Sequence, residues 1–308
     1  MSYTRKIATR SEGGREIETT TAINLDCFKY CFLRIITGNM SDLGIVSKDI
    51  IALNAKYSKS LIEELKKTFP EENDETIARF LIARGGDHIK ARQMMRDHMI
   101  WRADNPPVLK ETCFGELCKG KVYEHGKDKE GHPLVIYRPR FNDPNQRDLD
   151  EMGRMVRWWA EVIIAGMPPE ISKCTILVDR TGTSSPDIQF VRQFASVFQN
   201  NYPERVFRII VYPGGLVFTG LWNVVKWFLD PVTQAKVKPV LTLAGVQEFI
   251  DDEYIPVSMG GECDFEFDLS GGDIPPDPPV ALQQGGPADA GTSVETVFNK
   301  PDTEVAKP

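Results

Sequence analysis

Among the 308 residues, few groups could do chemistry, and they are poorly placed for catalysis. The histidines stand at 88, 98, 125 and 132; the first two fall in a helical stretch, where His98 reads as a packed side chain, and the other two flank a charged hairpin turn. An acyl-transfer nucleophile needs a histidine base beside it, and no G-x-S-x-G elbow occurs. "GELCKGKV" (Gly115–Val122) begins like a phosphate-binding loop, but Val122 stands where a hydroxyl should hold magnesium. "DRTGTSSPD" has the strand-to-helix position of a dinucleotide loop but only one glycine, so its backbone cannot approach a pyrophosphate closely. The cysteines at 27, 31, 113, 118, 174 and 263 lack the spacing and the nearby histidines of a zinc site, and read as reduced thiols. The expectation is a protein with no catalytic residues, no metal and no cofactor.

One stretch does stand out. In "NYPERVFRIIVYPGG" (Asn201–Gly215) the ionisable pair Glu204-Arg205 abuts a strand of buried character. After the Gly-Gly turn comes "LVFTGLWNVVKWFL", whose only charge is Lys226. A helix apolar around its whole circumference is either fully buried or faces something other than water. This one is bounded by a glycine turn and by the polar "FLDPVTQAKVK", and it reads as a mobile apolar lid that touches membrane. From Ile209 to Val225 there is no charge, yet Pro213, Gly214, Gly215 and Gly220 favour strand, turn and helix over a spanning segment.

The elements that must position these residues follow from periodicity. "YSKSLIEELKKTF", "DETIARFLIARGG" and "DHIKARQMMRDHMIWRADNPP" read as three short helices; Asp74 and Asp87 are candidate N-caps and Gly85-Gly86 a stop. Ala91, Met94, Met95, His98 and Trp101 share one face of the third. From Val122 two extended runs surround a turn. An amphipathic helix follows, with Leu149, Met152, Val156, Trp159 and Ile163 on one face. Strands "CTILVD", "VFRIIVYP" and "VKPVLTL" then alternate with helices, as in a mostly parallel sheet covered by helices. Residues 1–48 are hard to place, although "LDCFKYCFLRIITG" could make a short helix. Residues 49–107 make a helical lobe, 108–270 an α/β lobe, and the Pro/Gly-rich residues 271–308 a disordered tail. The hydrophobic share of 41% suits a soluble globular protein, and a net charge of −7 argues against non-specific nucleic-acid binding. The polar opening residues lack the character of a secretory signal, which leads to the expectation of a cytoplasmic monomer.

"ETIARFLIARGGD", "NYPERV", "FLDPVTQAK" and "YIPVSMGGEC", in that order between Tyr57 and Leu269, resemble the CRAL-TRIO lipid-binding and transfer proteins, especially the fungal-type phosphatidylinositol/phosphatidylcholine transfer proteins. The resemblance implies an α/β fold: a small all-helical N-terminal lobe, then a lobe whose mostly parallel sheet floors a hydrophobic lipid pocket. The pocket would be gated by the helix carrying Leu216, Phe218, Leu221, Trp222, Val225 and Phe228. It also implies a head-group set of Arg84, Glu204, Thr233 and Lys236. Glu204 would accept hydrogen bonds from ring hydroxyls while Arg84 and Lys236 neutralise phosphate; Arg205 would be a structural ion-pair partner. A mutual Glu204–Lys236 pair is the plainer alternative.

At the second-ligand region the chain departs from the family pattern. Lys173 and Phe198 stand where it has small hydroxyl residues, and Thr175 remains. An ammonium there would repel choline, which puts phosphatidylcholine exchange in doubt. The implied partners are a phospholipid ligand, with phosphatidylinositol first, a transiently touched membrane surface, and a lipid kinase. A carrier of a retinoid, tocopherol or sterol-like molecule stays open, as does a regulatory lipid-sensing module.

Overall fold

The computed structural model describes residues 7–10, 16–19, 59–146, 148–168, 170–183 and 187–280. The segment "LDCFKYCFLRIITG" and residues 281–308 lie outside them. Near the N-terminus, β1 (Ile7–Arg10) and β2 (Glu16–Thr19) form an antiparallel pair.

Three helices make the first lobe: α1 (Lys59–Thr68), α2 (Asp74–Ala83) and α3 (His88–Asp104). They enclose their own core of Leu65, Ile77, Phe80, Leu81, Ala91 and Met95. The N-cap of α2 is Asn73 rather than the expected Asp74: its side chain accepts from the Thr76 amide, which leaves Asp74 to begin the first turn. Gly85 and Gly86 end α2 at φ +63° and +85°, a left-handed region open to glycine at little cost. Asp87 caps α3 through the amides of Ile89 and Lys90.

After the short α4 (Phe114–Leu117), a five-stranded sheet runs β3 (Val122–Lys127), β4 (Pro133–Tyr137), β5 (Cys174–Asp179), β6 (Val206–Tyr212), β7 (Val237–Pro239), in that spatial order. The first pair is antiparallel and the others are parallel. Between the parallel strands come α5 (Leu149–Gly166), then α6 (Ile188–Asn201), then α7 (Leu216–Val225) with α8 (Pro231–Lys236). Thr242 caps α9 (Leu243–Gln247), so the expected strand through "VKPVLTL" ends at Pro239.

One face of the sheet is solid core, with Leu134, Ile136, Leu177 and Ile210 fully buried. On α5 the inner face holds Met152, Val156, Trp159 and Ile163 as expected, but Leu149, the first residue after the Asp148 cap, is exposed. The expected boundary at residue 271 falls too early. Ile274 is buried, and the Asp277 carboxylate accepts from the Trp158 indole at 2.6 Å and the Lys110 amide at 2.8 Å, so this stretch is strapped against α5. Among the described residues no helix is long and apolar enough to cross a membrane.

Candidate functional site

The other face of the sheet is not filled. Strand alternation sends Val135, Ile176, Ile209 and Val237 to that side, where they floor a cavity of about 1510 Å³ counting its solvent-open mouth, of which water centres can occupy about 200 Å³. One wall is α6. Its Phe190, Phe194 and Phe198 recur every four residues and so stand on one helix face. Phe194 and Phe198 stack with ring centroids 4.4 Å apart. Opposite lies α7, whose Phe218, Leu221, Trp222 and Val225 line the cavity.

The start of α7 is fixed by a close approach of backbones. A Cβ on Gly214 would stand 2.8 Å from Pro239 and 2.9 Å from the Val240 amide nitrogen, so the turn after β6 accepts only glycine without moving the chain that leaves β7. The outward side of α7 and of the 3-10 turn that follows it is also apolar, with Leu216 92% and Trp227 80% exposed. Of the expected lid residues, Leu216 thus points away from the cavity, and Phe228 sits outside its lining beneath the Arg192 guanidinium at 4.4 Å.

Arg84 from the end of α2, Glu204 from the turn before β6, and Thr233 and Lys236 from α8 all line this cavity. Arg84 is the C-cap of α2, and among the described residues its guanidinium makes one hydrogen bond, to the Ala83 carbonyl at 3.1 Å. Glu204, just before β6, has φ +58°, a left-handed backbone that a non-glycine residue adopts only under local constraint. Its carboxylate accepts from Lys236 Nζ at 3.2 Å, and both side chains are mostly buried. The Thr233 hydroxyl donates to Asp230 at 2.7 Å, and Asp230 in turn caps α8. Arg205 turns away from this group. It donates to the Ser172 carbonyl at 3.0 Å and lies 3.8 Å from Glu75, and burial pulls its pKa down to about 9.

The second-ligand region is not brought together. Phe198 lines the cavity, but Lys173 does not. Thr175 lies on the opposite face of β5, fully buried, with its hydroxyl donating to Asp128 at 2.6 Å. Asp128 also meets the His132 ring at 3.1 Å, and it is held below the usual carboxylate range by hydrogen bonds from His132 and Thr175, against the opposing effect of burial. This is a structural knot under the sheet, so Thr175 is corrected from ligand contact to core support. Arg180, not singled out from the sequence, also lines the cavity and lies 5.6 Å over the Phe218 ring. Its place directly after β5, at the start of "DRTGTSSPD" with the strand-to-helix position of a ligand loop, was the available signal.

Comparison with known proteins agrees with this architecture. The description of the CRAL/TRIO domain matches residues 117–261. The chain is 29% identical over 234 residues to a protein named phosphatidylinositol transfer protein CSR1 from Eremothecium gossypii, covering 70% of this chain and 52% of that one. It is 28% identical over 244 residues to the phosphatidylinositol/phosphatidylcholine transfer protein SFH12 of Arabidopsis thaliana, covering 70% and 44%. The chain thus spans about half the length of these relatives. Among solved structures, that of Sfh5 superposes with a TM-score of 0.52 at 15% identity, covering 68% of this chain and 78% of that one, a likeness of fold. The mostly parallel sheet and the apolar chamber thus agree with the match of residues 117–261 to the CRAL/TRIO domain.

Proposed function

We propose that the protein extracts phosphatidylinositol from one membrane and delivers it to another through the lidded chamber. The observation that carries this reading is the meeting of Arg84, Glu204, Thr233 and Lys236 at the wall of one apolar cavity. Two cationic groups suit a phosphate, and a carboxylate and a hydroxyl suit the ring hydroxyls of inositol. The names of the two transfer-protein relatives support the same ligand.

The physical need for such a chamber is large. Moving acyl chains from bilayer to water costs about 0.8 kcal/mol per methylene, which for two long chains reaches roughly 20 kcal/mol. A carrier avoids that cost only by offering an apolar space and closing it. The outward Leu216 and Trp227 would touch the bilayer while α7 opens. A net charge of −7 suits a cytoplasmic protein that stays on an anionic surface only briefly. Before a lipid enters, Glu204 and Lys236 satisfy each other; a head group that brings a phosphate for the lysine and hydroxyls for the carboxylate leaves neither buried charge unpaired, so it can displace the pair. Phosphatidylcholine exchange gains no support from Thr175, which faces the other way.

The test is native mass spectrometry of the purified chain after equilibration with vesicles containing phosphatidylinositol, beside a Glu204→Ala/Lys236→Ala double variant. Wild type should carry the lipid, and the double variant should retain at most about a tenth as much, as expected for losing charge-assisted contacts. Equal inositol-lipid content in both would refute the head-group assignment.

A further inference from the structure

The chamber has two ends, and the Glu204–Lys236 pair stands at one of them. The other lies where the parallel strands finish. Register sets Tyr137, Val178 and Val211 side by side there, and the alternation of β5, carried on by one residue, puts Arg180 on the same face as Ile176 and Val178. All of these line the cavity. The Arg180 amide donates to the Tyr212 carbonyl at 2.7 Å, so Arg180 stands level with the last residue of β6. Glu204 stands before the first. The length of β6 from Val206 to Tyr212 therefore separates the two ends by about 20 Å, close to the span of one long acyl chain.

The polar groups at this far end are donors without an acceptor. The Arg180 guanidinium gives one hydrogen bond, to the Pro213 carbonyl at 2.7 Å, which orients it and leaves its other N–H groups unused. Among the described residues no carboxylate pairs with it, and burial alone draws its pKa down. Thr183 lines the cavity three residues further on. Of the enclosed side-chain polar atoms without a hydrogen-bond partner among the described residues, Thr183 Oγ1 is the one that belongs to the chamber lining. The Tyr137 phenol keeps its proton, because burial first and the Asp187 charge second push its pKa well above the ordinary value. Asp187 also borders this end, but it accepts from Asn142 and from the amides of Gln189 and Phe190, as the N-cap of α6. A cation and an orphaned hydroxyl, facing one apolar space together, call for an anionic oxygen group. A phospholipid held by its head at Lys236 sends only hydrocarbon toward them.

We propose that Arg180 and Thr183, with the Tyr137 phenol, form a carboxylate subsite at the strand-end of the chamber, and that it takes a long-chain fatty acid whose tail runs back toward Glu204. This rests on the reading of the cavity as a lipid chamber and adds a single-chain anionic ligand lying the other way round. Phe190 and Phe194 of α6, with Ile176 and Ile209 of the floor, supply the apolar track for the tail. Both ligands fill the same space, so the fatty acid and phosphatidylinositol exclude each other.

The full chain, freed of co-purified lipid, is titrated calorimetrically with oleate, oleyl alcohol and methyl oleate at about pH 8, where a carboxylate is ionised. Wild type is expected to bind oleate about tenfold more tightly than the alcohol or the ester, the usual worth of a hydrogen bond to a charged group. Arg180→Gln should bring oleate down to the level of the alcohol, and Arg180→Lys should keep most of the difference. Thr183→Val should weaken oleate about threefold. Equal affinities of wild type for the three ligands overturn the anionic class. An oleate preference that survives Arg180→Gln but disappears in Lys236→Ala overturns the subsite, because the carboxylate then sits at the other end. Should Arg180→Gln fail to fold, Thr183→Val decides: an unchanged oleate affinity overturns the subsite. A wild type that loads phosphatidylinositol from vesicles but binds no oleate overturns this subsite alone, and one that binds neither overturns both readings.

Discussion

Acidification should loosen the hold of the helical lobe on the α/β lobe, because that hold includes a neutral histidine. His98 of α3 sits 3.1 Å from the Asn201 side-chain oxygen at the end of α6, and its Nε2 accepts from Arg102 Nε at 2.9 Å. The ring therefore carries its proton on Nδ1. Burial first, and the Arg102 charge second, pull its pKa from 6.5 to about 4, against a smaller opposing effect of the Asn201 hydrogen bond. The unfolded chain takes up the proton first as pH falls. The stabilisation is thus complete above 6.5 and is lost progressively toward 4. Between about pH 8 and about pH 5, linkage gives a loss of about 2 kcal/mol from this residue alone. Urea unfolding across that range, for wild type and His98→Gln, isolates it, because the carboxylates titrate alike in both proteins. The wild-type curve should fall about 2 kcal/mol further than the variant's. Parallel curves would refute the assignment of a buried neutral imidazole at this contact.

Thr175→Val keeps the shape of the side chain but leaves Asp128 without the donor at 2.6 Å; it should destabilise by about 1–3 kcal/mol in denaturant titration while the bound-lipid profile stays unchanged. Glu204→Gly and Glu204→Ala should both lose phosphatidylinositol in lipid extraction. The glycine variant should be the more stable of the two by about 1 kcal/mol, since φ +58° suits it, and equal stability would contradict strain at this residue.

Much of the scaffold was legible in the sequence because its signals are local. Asp87 before α3, Gly85-Gly86 after α2 and the apolar β5 announce themselves from their immediate neighbours. The proposed head-group set was legible only through resemblance: Arg84, Glu204 and the Thr233/Lys236 pair of α8 lie at three places in the chain that periodicity cannot assemble. The facing of Thr175 was not legible. A parallel strand buried on both sides reads as one continuous apolar run, so nothing in "CTILVD" tells the chamber side from the core side until register is known. The misplaced cap at Asp74 arose because Asn73 and Asp74 are adjacent and equally capable. The strap through Asp277 was hidden by composition, since one buried isoleucine and one carboxylate hold a stretch that is otherwise proline, glycine and aspartate.

Lys236 borders the chamber on one side and, on the other, an outer groove that also holds Arg208 and Lys238. At this point the vessel's wall is a single side chain thick. Dissolved ions, which screen over about 8 Å at physiological strength, can therefore reach this charge but not the greasy floor beyond it. Under the proposed function, ionic strength becomes a dial on selectivity: concentrated salt would blur which lipid is chosen while leaving the total amount carried nearly constant.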